Sequence, residues 1–331
     1  MSQIRFAFGV GAALVLSSSA ALAQWAPERS VEFNVAAGAG GGSDIFARTI
    51  QAVIGQEGLM DESIVVLNKG GGSGAEAFIY AKANAEDPHK LFFGTNNVYL
   101  LPLVTPLGYT AEDLTPVAAL AVDEFILWVN GESEYGDVNA LLEAARAAPG
   151  EIVIGGSQSR DVDETLVALI EQTADVDFRY LPFNGGGETA TQLAGGHIAA
   201  NVNNPSENLG QWQAGGVKPL CVFSTERMAG TEEIAGGMSW SDIPTCTEAG
   251  LAIDRYQLPR TVWLPAGVPQ EVVDYYAGVL RQVSETPEWA QYLQSSSQTG
   301  QFLTGDELSA FIAESEGNAR RVFEAEGWLV N

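Results

Sequence analysis

Three serines in this sequence stand where a hydroxyl could do chemistry. Ser43 follows Gly38-Ala39-Gly40-Gly41-Gly42, Ser73 lies within Gly70-Gly71-Gly72-Ser73-Gly74, and Ser157 opens Ser157-Gln158-Ser159 after Gly155-Gly156. Each sits where helical spacing begins, so its hydroxyl can cap a free helix N–H or donate to a carboxylate. None lies in G-x-S-x-G, the setting of an exposed nucleophile. The two histidines, His89 beside Asp87-Pro88 and His197 after Gly195-Gly196, read as loop or surface residues and are too few for a metal or triad cluster. Asp161, Asp163 and Glu164 ahead of a helix, and Asp123 and Glu124 ahead of a strand, offer paired carboxylates. In a chain with 42 acidic residues such pairs arise by chance and read as helix-dipole or surface charges. Catalysis is left with one reading, an exported hydrolase using Ser157 with an acid pair. Cys221 and Cys246 are too few for a zinc site of usual spacing and form either a disulfide or two buried thiols.

The glycines around these serines suggest chemistry without bond-making. A strand that loses its side chains just before a helix lets something approach the backbone, and bare N–H groups at a helix start attract negative charge. Nucleotide is a poor candidate for that charge. Gly70-Gly71-Gly72-Ser73-Gly74-Ala75 matches G-x-G-x-x-A, but the loop after the first strand misses the pattern at its last position, and no G-K-[ST] follows either loop.

Composition sets the setting. Met1 to Ala23 has Arg5, an apolar run from Phe6 to Leu16 and Ala21-Leu22-Ala23, which together predict a secretory signal, with about 308 residues following. The remaining chain has no other long apolar run and is expected to be exported and soluble. The whole sequence's balance of 42 acidic against 16 basic residues, a net charge of −26, disfavours nucleic acid and anionic lipid as partners. An anionic small ligand stays compatible, because a local nest of N–H dipoles outweighs a diffuse, salt-screened charge.

The elements that must position these loops alternate as strand, glycine loop and helix. Strands are predicted over 30–36, 64–67 and 91–95, with helices over 43–54 and 75–85, the pattern of a parallel α/β sheet with ligands beyond the strand C-termini. A second set follows, with strands over 125–129, 152–155, 178–181, 198–202 and 218–223 and helices over 138–147, 163–172 and 188–193. The remainder is mainly helical, over 270–285, 287–296 and 304–325. Two similar sets predict two lobes around a cleft: 24–123 with 226–331 as the first, 124–225 as the second, and a hinge near 121–123 and 224–226.

Seven stretches in order resemble one family over nearly the whole length after the signal. They are VEFNVAAGAGGGSDIFARTI, VVLNKGGGSGAEAFIYAKA, LFFGTNN, YTAEDLTPVAAL, YLPFNGGGETATQLAGGHIAANVNNPSE, IPTCTEAGL and LPAGVPQEVVDYYAGVL. The resemblance is to the periplasmic solute-binding proteins of tripartite tricarboxylate transporters, the TctC or Bug family. It implies a two-lobed α/β binding protein of the type II, Venus-flytrap kind. Such a protein is non-enzymatic and monomeric, needs no cofactor or metal, and passes a small carboxylate to a TctA/TctB-type membrane permease.

Carried over by position, the resemblance places Ala39, Gly40, Gly41, Gly42, Ser43, Asp44, Gly72, Ser73, Gly74, Thr95 and Asn96 on the first lobe's side of the ligand. The second lobe contributes Ser157, Gln158, Ser159, Asn184, Gly185, Gly186, Gly187, Asn203 and Asn204. Gly40 to Gly42 would present N–H groups, Ser43 a hydroxyl, and Asn184 and Asn203 their amides. Asp44, itself anionic, is expected to brace the loops. The sequence departs from the family at Arg160-Asp161-Val162-Asp163-Glu164. Arg160 either meets a carboxylate or, as the neighbouring acids favour, pairs with them, and those acids argue against a highly charged tricarboxylate.

Overall fold

A computed structural model describes residues 25–157, 159–183 and 185–330. The expected signal and the candidate ligand residues Gln158 and Asn184 lie outside the described residues.

The chain starts with β1 (Val31–Val35), α1 (Gly42–Glu57), β2 (Ile64–Asn68), α2 (Ala75–Ala83), β3 (Lys90–Gly94), α3 (Asn97–Val104) and β4 (Leu114–Glu124). It continues through β5 (Ile126–Asn130), α4 (Val138–Ala147), β6 (Val153–Ser157), α5 (Val162–Ala174), β7 (Arg179–Phe183), α6 (Gly186–Ala194), β8 (Ala200–Asn203), α7 (Pro205–Gln213) and β9 (Val217–Val222). It ends with β10 (Gln257–Pro265), α8 (Gln270–Ser284), α9 (Pro287–Ser296), β11 (Thr299–Leu303) and α10 (Gly305–Ala325).

One sheet has the order β11-β4-β10-β3-β1-β2 and the other β7-β6-β8-β5-β9. Parallel pairing is confined to β1 with β2 and β3, and to β6 with β7 and β8. The expected parallel sheets are therefore mixed, because β4, β5, β10 and β11 run against their neighbours. The loops after β1, β2 and β3, and after β6, β7 and β8, are nonetheless the ones at strand C-termini, where an open α/β sheet presents its ligand loops.

Each sheet has its own apolar core. In α1 the residues Phe46, Ala47, Ile50, Val53 and Ile54 recur at helical spacing and are buried, and the helix stops at Gly58, whose left-handed φ of 63° carries the cap back to the Ile54 carbonyl. Phe33 lies 4.5 Å from Phe93 and Phe46 lies 5.7 Å from Trp289, ring centre to ring centre, so α9 folds back on the first sheet together with α8. The second core gathers Leu127, Leu141, Ile154, Leu166, Ile170 and Val202.

The chain crosses between the sheets on two antiparallel strands. β4 runs into β5 through Phe125, and β10 leaves Tyr256 to pair Gln257 with Glu124. The rings of Phe125 and Tyr256 meet edge to face at 5.5 Å. The return crossing thus lies at 256–257, not at the expected 224–226. Met228, Ile243, Cys246, Leu251 and Ile253, expected with the first lobe, are buried in the second lobe's cores. A disulfide between Cys221 and Cys246 fixes that segment to the end of β9 and settles the open alternative.

Five elements lay outside the sequence reading: α3, β4, α7, β10 and β11. α3 is apolar on all sides and carries Pro102, so no helical stripe marks it. α7 did have a signature, Asn204-Pro205-Ser206-Glu207, in which Asn204 and Glu207 form a capping box with proline at the helix start.

Candidate functional site

The first glycine loop is held by Asp44. Its Oδ2 accepts the Gly40 N–H at 2.8 Å, and its Oδ1 accepts Arg48 Nε and Asn68 Nδ2, both at 2.9 Å. Burial alone would raise this carboxyl, but those donors win and hold it below the usual aspartate range. Asp44 is 3% exposed and ties the loops after β1 and β2 together. The N–H groups of Gly42 and Ser43 have no acceptor among the described residues.

The second glycine loop packs against the first. A Cβ on Gly70 would lie 2.8 Å from the backbone of Ala37 and Gly38, and one on Gly74, where φ is +95°, would lie 2.7 Å from the Ala36 carbonyl. These two glycines serve loop-to-loop approach. Asn97 stitches on the third loop, accepting from Thr95 Oγ1 at 3.1 Å and donating to the Ser73 carbonyl at 2.9 Å.

The cation absent from every glycine loop arrives from β10. Arg260 Nη1 donates to Ser43 Oγ at 3.1 Å, and its Nη2 forms an ion pair with the buried carboxylate of Asp123. A Cβ on Gly42 would lie 2.7 Å from Nη2, so this glycine makes room for the guanidinium. The sequence reading missed Arg260; its only local trace is one arginine inside the apolar strand Gln257–Pro265.

Between the lobes lies a cavity of about 410 Å³. Of the residues expected at the ligand, Ser73, Thr95, Asn96, Ser157, Ser159 and Asn204 line it, joined by Arg160, Asp161, Asp163, Thr165, Glu207 and Arg260. Ala39 to Asp44, Gly72, Gly74, Gly185 to Gly187 and Asn203 are not among its lining residues. Asn203 is fully buried and donates both amide protons internally, to the Gly186 carbonyl and to Asn208 Oδ1, each at 2.8 Å. Asn204 likewise donates to the Glu124 carbonyl at 2.8 Å, tying α7 to the crossing strand.

The second lobe's wall is acidic. Asp163 accepts from both the backbone N–H and the hydroxyl of Ser157, at 2.6 and 2.9 Å, so this serine is a donor to a buried acid. Neither histidine is among the residues that line the cavity. Burial, with Glu207 nearby, raises Asp163 well above the usual range, and burial raises Glu207 to about 7. Glu207 is exposed to the cavity, and a Cβ on Gly186 would lie 2.1 Å from its carboxyl carbon. The protein's own carboxylate thus covers the start of α6, where the glycine loop was expected to receive a ligand. Arg160, at a left-handed φ of 56°, gives its backbone N–H to Glu164. Its guanidinium makes no ion pair among the described residues, contrary to the expected pairing.

Residues 47–328 match the family described as tripartite tricarboxylate transporter family receptor, TctC. Protein BugT of Bordetella pertussis is 21% identical over 292 residues, covering 87% of this chain and 86% of that protein. A solved TctC solute-binding protein from Polaromonas, without ligand, superposes with a TM-score of 0.77 at 22% identity, over 90% of this chain and 99% of that one. The Rhodopseudomonas palustris protein Rpa4515, solved with adipate, superposes with a TM-score of 0.73 at 23% identity, over 91% of this chain and 98% of that one. No helix of the described residues is long and apolar enough to cross a membrane.

Proposed function

Because this chain belongs to the tripartite tricarboxylate transporter receptor family, TctC, we propose that it is a periplasmic receptor that captures a small organic carboxylate between its lobes. It delivers the solute to a TctA/TctB-type permease, works as a monomer, and reaches the periplasm by the signal at 1–23. The observation that carries this reading is the interlobe cavity, bordered by Ser73, Thr95 and Asn96 from one lobe and Ser157 and Ser159 from the other. A ligand contacting both sets holds the lobes together, which couples binding to closure. The adipate in the related structure is a carboxylate of a size such a cavity admits.

The test is a thermal-shift screen of the purified protein against two- to eight-carbon mono- and dicarboxylates and amino acids, followed by calorimetry on the hits. A ligand that binds only the folded state at about 100 times its Kd stabilises it by about 2.7 kcal/mol, so a true ligand raises the melting temperature clearly. Stabilisation by no carboxylate-bearing compound, or slow consumption of a hit, would overturn the receptor reading.

A further inference from the structure

Resting on that receptor reading, we propose that α10 is the latch of the cleft: fixed to the first lobe, it grips the second through Gln172 of α5, and ionisation of the neighbouring Glu171 loosens the grip. Closure of the receptor thereby weakens as pH rises through neutrality.

The geometry is that of one helix spanning two bodies. Ala319 and Phe323 of α10 share an apolar cluster with Tyr99 and Trp263 of the first lobe, and the Tyr99 hydroxyl donates to Ser315 Oγ at 3.0 Å. From that anchorage α10 reaches the second lobe twice. Glu314 forms an ion pair with Arg255, whose guanidinium also lies 5.4 Å from the Phe311 ring. Arg255 moves with the second lobe, since the next residue, Tyr256, donates its hydroxyl to the Val162 carbonyl at 2.8 Å. From Glu314 to Glu326 the helix runs about 18 Å, at roughly 1.5 Å per residue. There Glu326 Oε1 accepts from Gln172 Nε2 at 3.3 Å.

Opening acts differently on the two contacts. Arg255 adjoins the crossing at 256–257, so a rotation there moves it little, and its ion pair serves as a pivot. Val162, Asp163 and Thr165 of α5 and Phe323 of α10 border the interlobe cavity, so widening that cavity draws α5 from α10 and parts Gln172 from Glu326. Their hydrogen bond belongs to the closed arrangement. Glu171, next to Gln172, accepts the Phe178 N–H at 2.6 Å. The charges acting on it are Asp177 in the turn after α5, Glu326 on α10 and Glu164 on α5 itself, all acidic. The cations carried by α4 and α10 are engaged elsewhere: Arg146 with the Ala174 carbonyl, Arg320 with Glu316, and Arg321 with Asn318. Burial and the neighbouring carboxylates outweigh the Phe178 N–H and push Glu171 up to about 7. Above that pH it ionises and repels Glu326, a cost that opening relieves.

Spin labels at Thr173→Cys and Glu324→Cys, both exposed and flanking the contact, report the distance from α5 to α10 in the full chain without ligand. The native cysteines are joined to each other and take no label. The expected result is a short distance at pH 6 and, at pH 8.5, a long-distance population enriched about two- to fivefold, the size of an exposed polar pair. Glu171→Gln and Glu326→Gln, the latter keeping the acceptor for Gln172, should each hold the short distance at both pH values. Gln172→Ala should lengthen it at both. A distribution indifferent to pH or to Gln172→Ala, or a pH response that persists in Glu326→Gln, overturns the latch and leaves the receptor reading intact. The labels need no ligand, so this failure is distinct from failure of the carboxylate screen.

Discussion

Arg260 is the residue on which the first lobe's side of the cleft turns. It joins Ser43 at the start of α1 to Asp123 on the crossing strand, and the Asp123 side chain is almost wholly buried. A buried ion pair adds little over a well-packed apolar pair, but removing one partner strands a charge, at a typical cost of about 3–5 kcal/mol. Arg260→Ala is therefore expected to destabilise the protein by roughly that amount, and Arg260→Met with Asp123→Leu by distinctly less. Urea unfolding of the single and double variants measures the coupling. Strict additivity would mean that the guanidinium and the carboxylate do not act as a pair.

Among the elements, the segment from the end of β9 to Gln257 has little regular structure, and its attachment to the second lobe needs explanation. Cys246 reaches Cys221 across 25 residues, Thr245 bridges Val222, and Leu251 and Ile253 enter the second core. On the loop-entropy account, closing about 25 residues is worth roughly 3–4 kcal/mol. Replacing both cysteines with alanine should lower stability by about that much. It should also expose 226–256 to early proteolysis while the first lobe stays intact. Limited proteolysis with mass spectrometry reads this directly, and cleavage starting instead in 25–124 would place the weak point elsewhere. The same attachment moves the return crossing to Tyr256, beside Phe125, so that both strands cross at one place.

At the scale of the molecule, buried acids set the response to pH. Burial raises Glu124 and Glu171 to about 7 each, against 4.5 in the unfolded chain. The folded protein then holds protons that the unfolded chain does not, so stability from these groups is full below about pH 4.5 and is lost as pH rises through 7. Asp44 and Asp113 are shifted downward, and their contribution is lost only as pH falls below their unfolded value of 3.8. The melting temperature should therefore be higher at pH 5.5 than at pH 8. Glu124→Gln should flatten that slope, since Glu124 is nearly fully buried and its shift corresponds to about 3 kcal/mol. A melting temperature that rises from pH 5.5 to 8 would falsify the assignment of these acids as proton-holding in the folded state.

Local sequence determined the loops and most of the elements around them. Strand residues followed by glycine, then Ser and helical spacing, can be read within about 15 residues, because turn chemistry and amphipathic periodicity are local properties. The helices over Val138–Ala147 and Pro287–Ser296 have the boundaries that periodicity predicts. The family resemblance also needed only ordered short motifs. What faces the ligand cavity is a different matter. Arg260 meets Ser43 across 217 positions, and Asn204 meets the Glu124 carbonyl across 80. The amides of Asn203 and the glycines at 70, 74 and 186 were committed to packing by neighbours that no local pattern names. Tertiary structure alone made the first lobe's cation come from β10 and the second lobe's wall acidic, because burial and long-range pairing, not residue type, decide which charges meet and which remain free for a ligand.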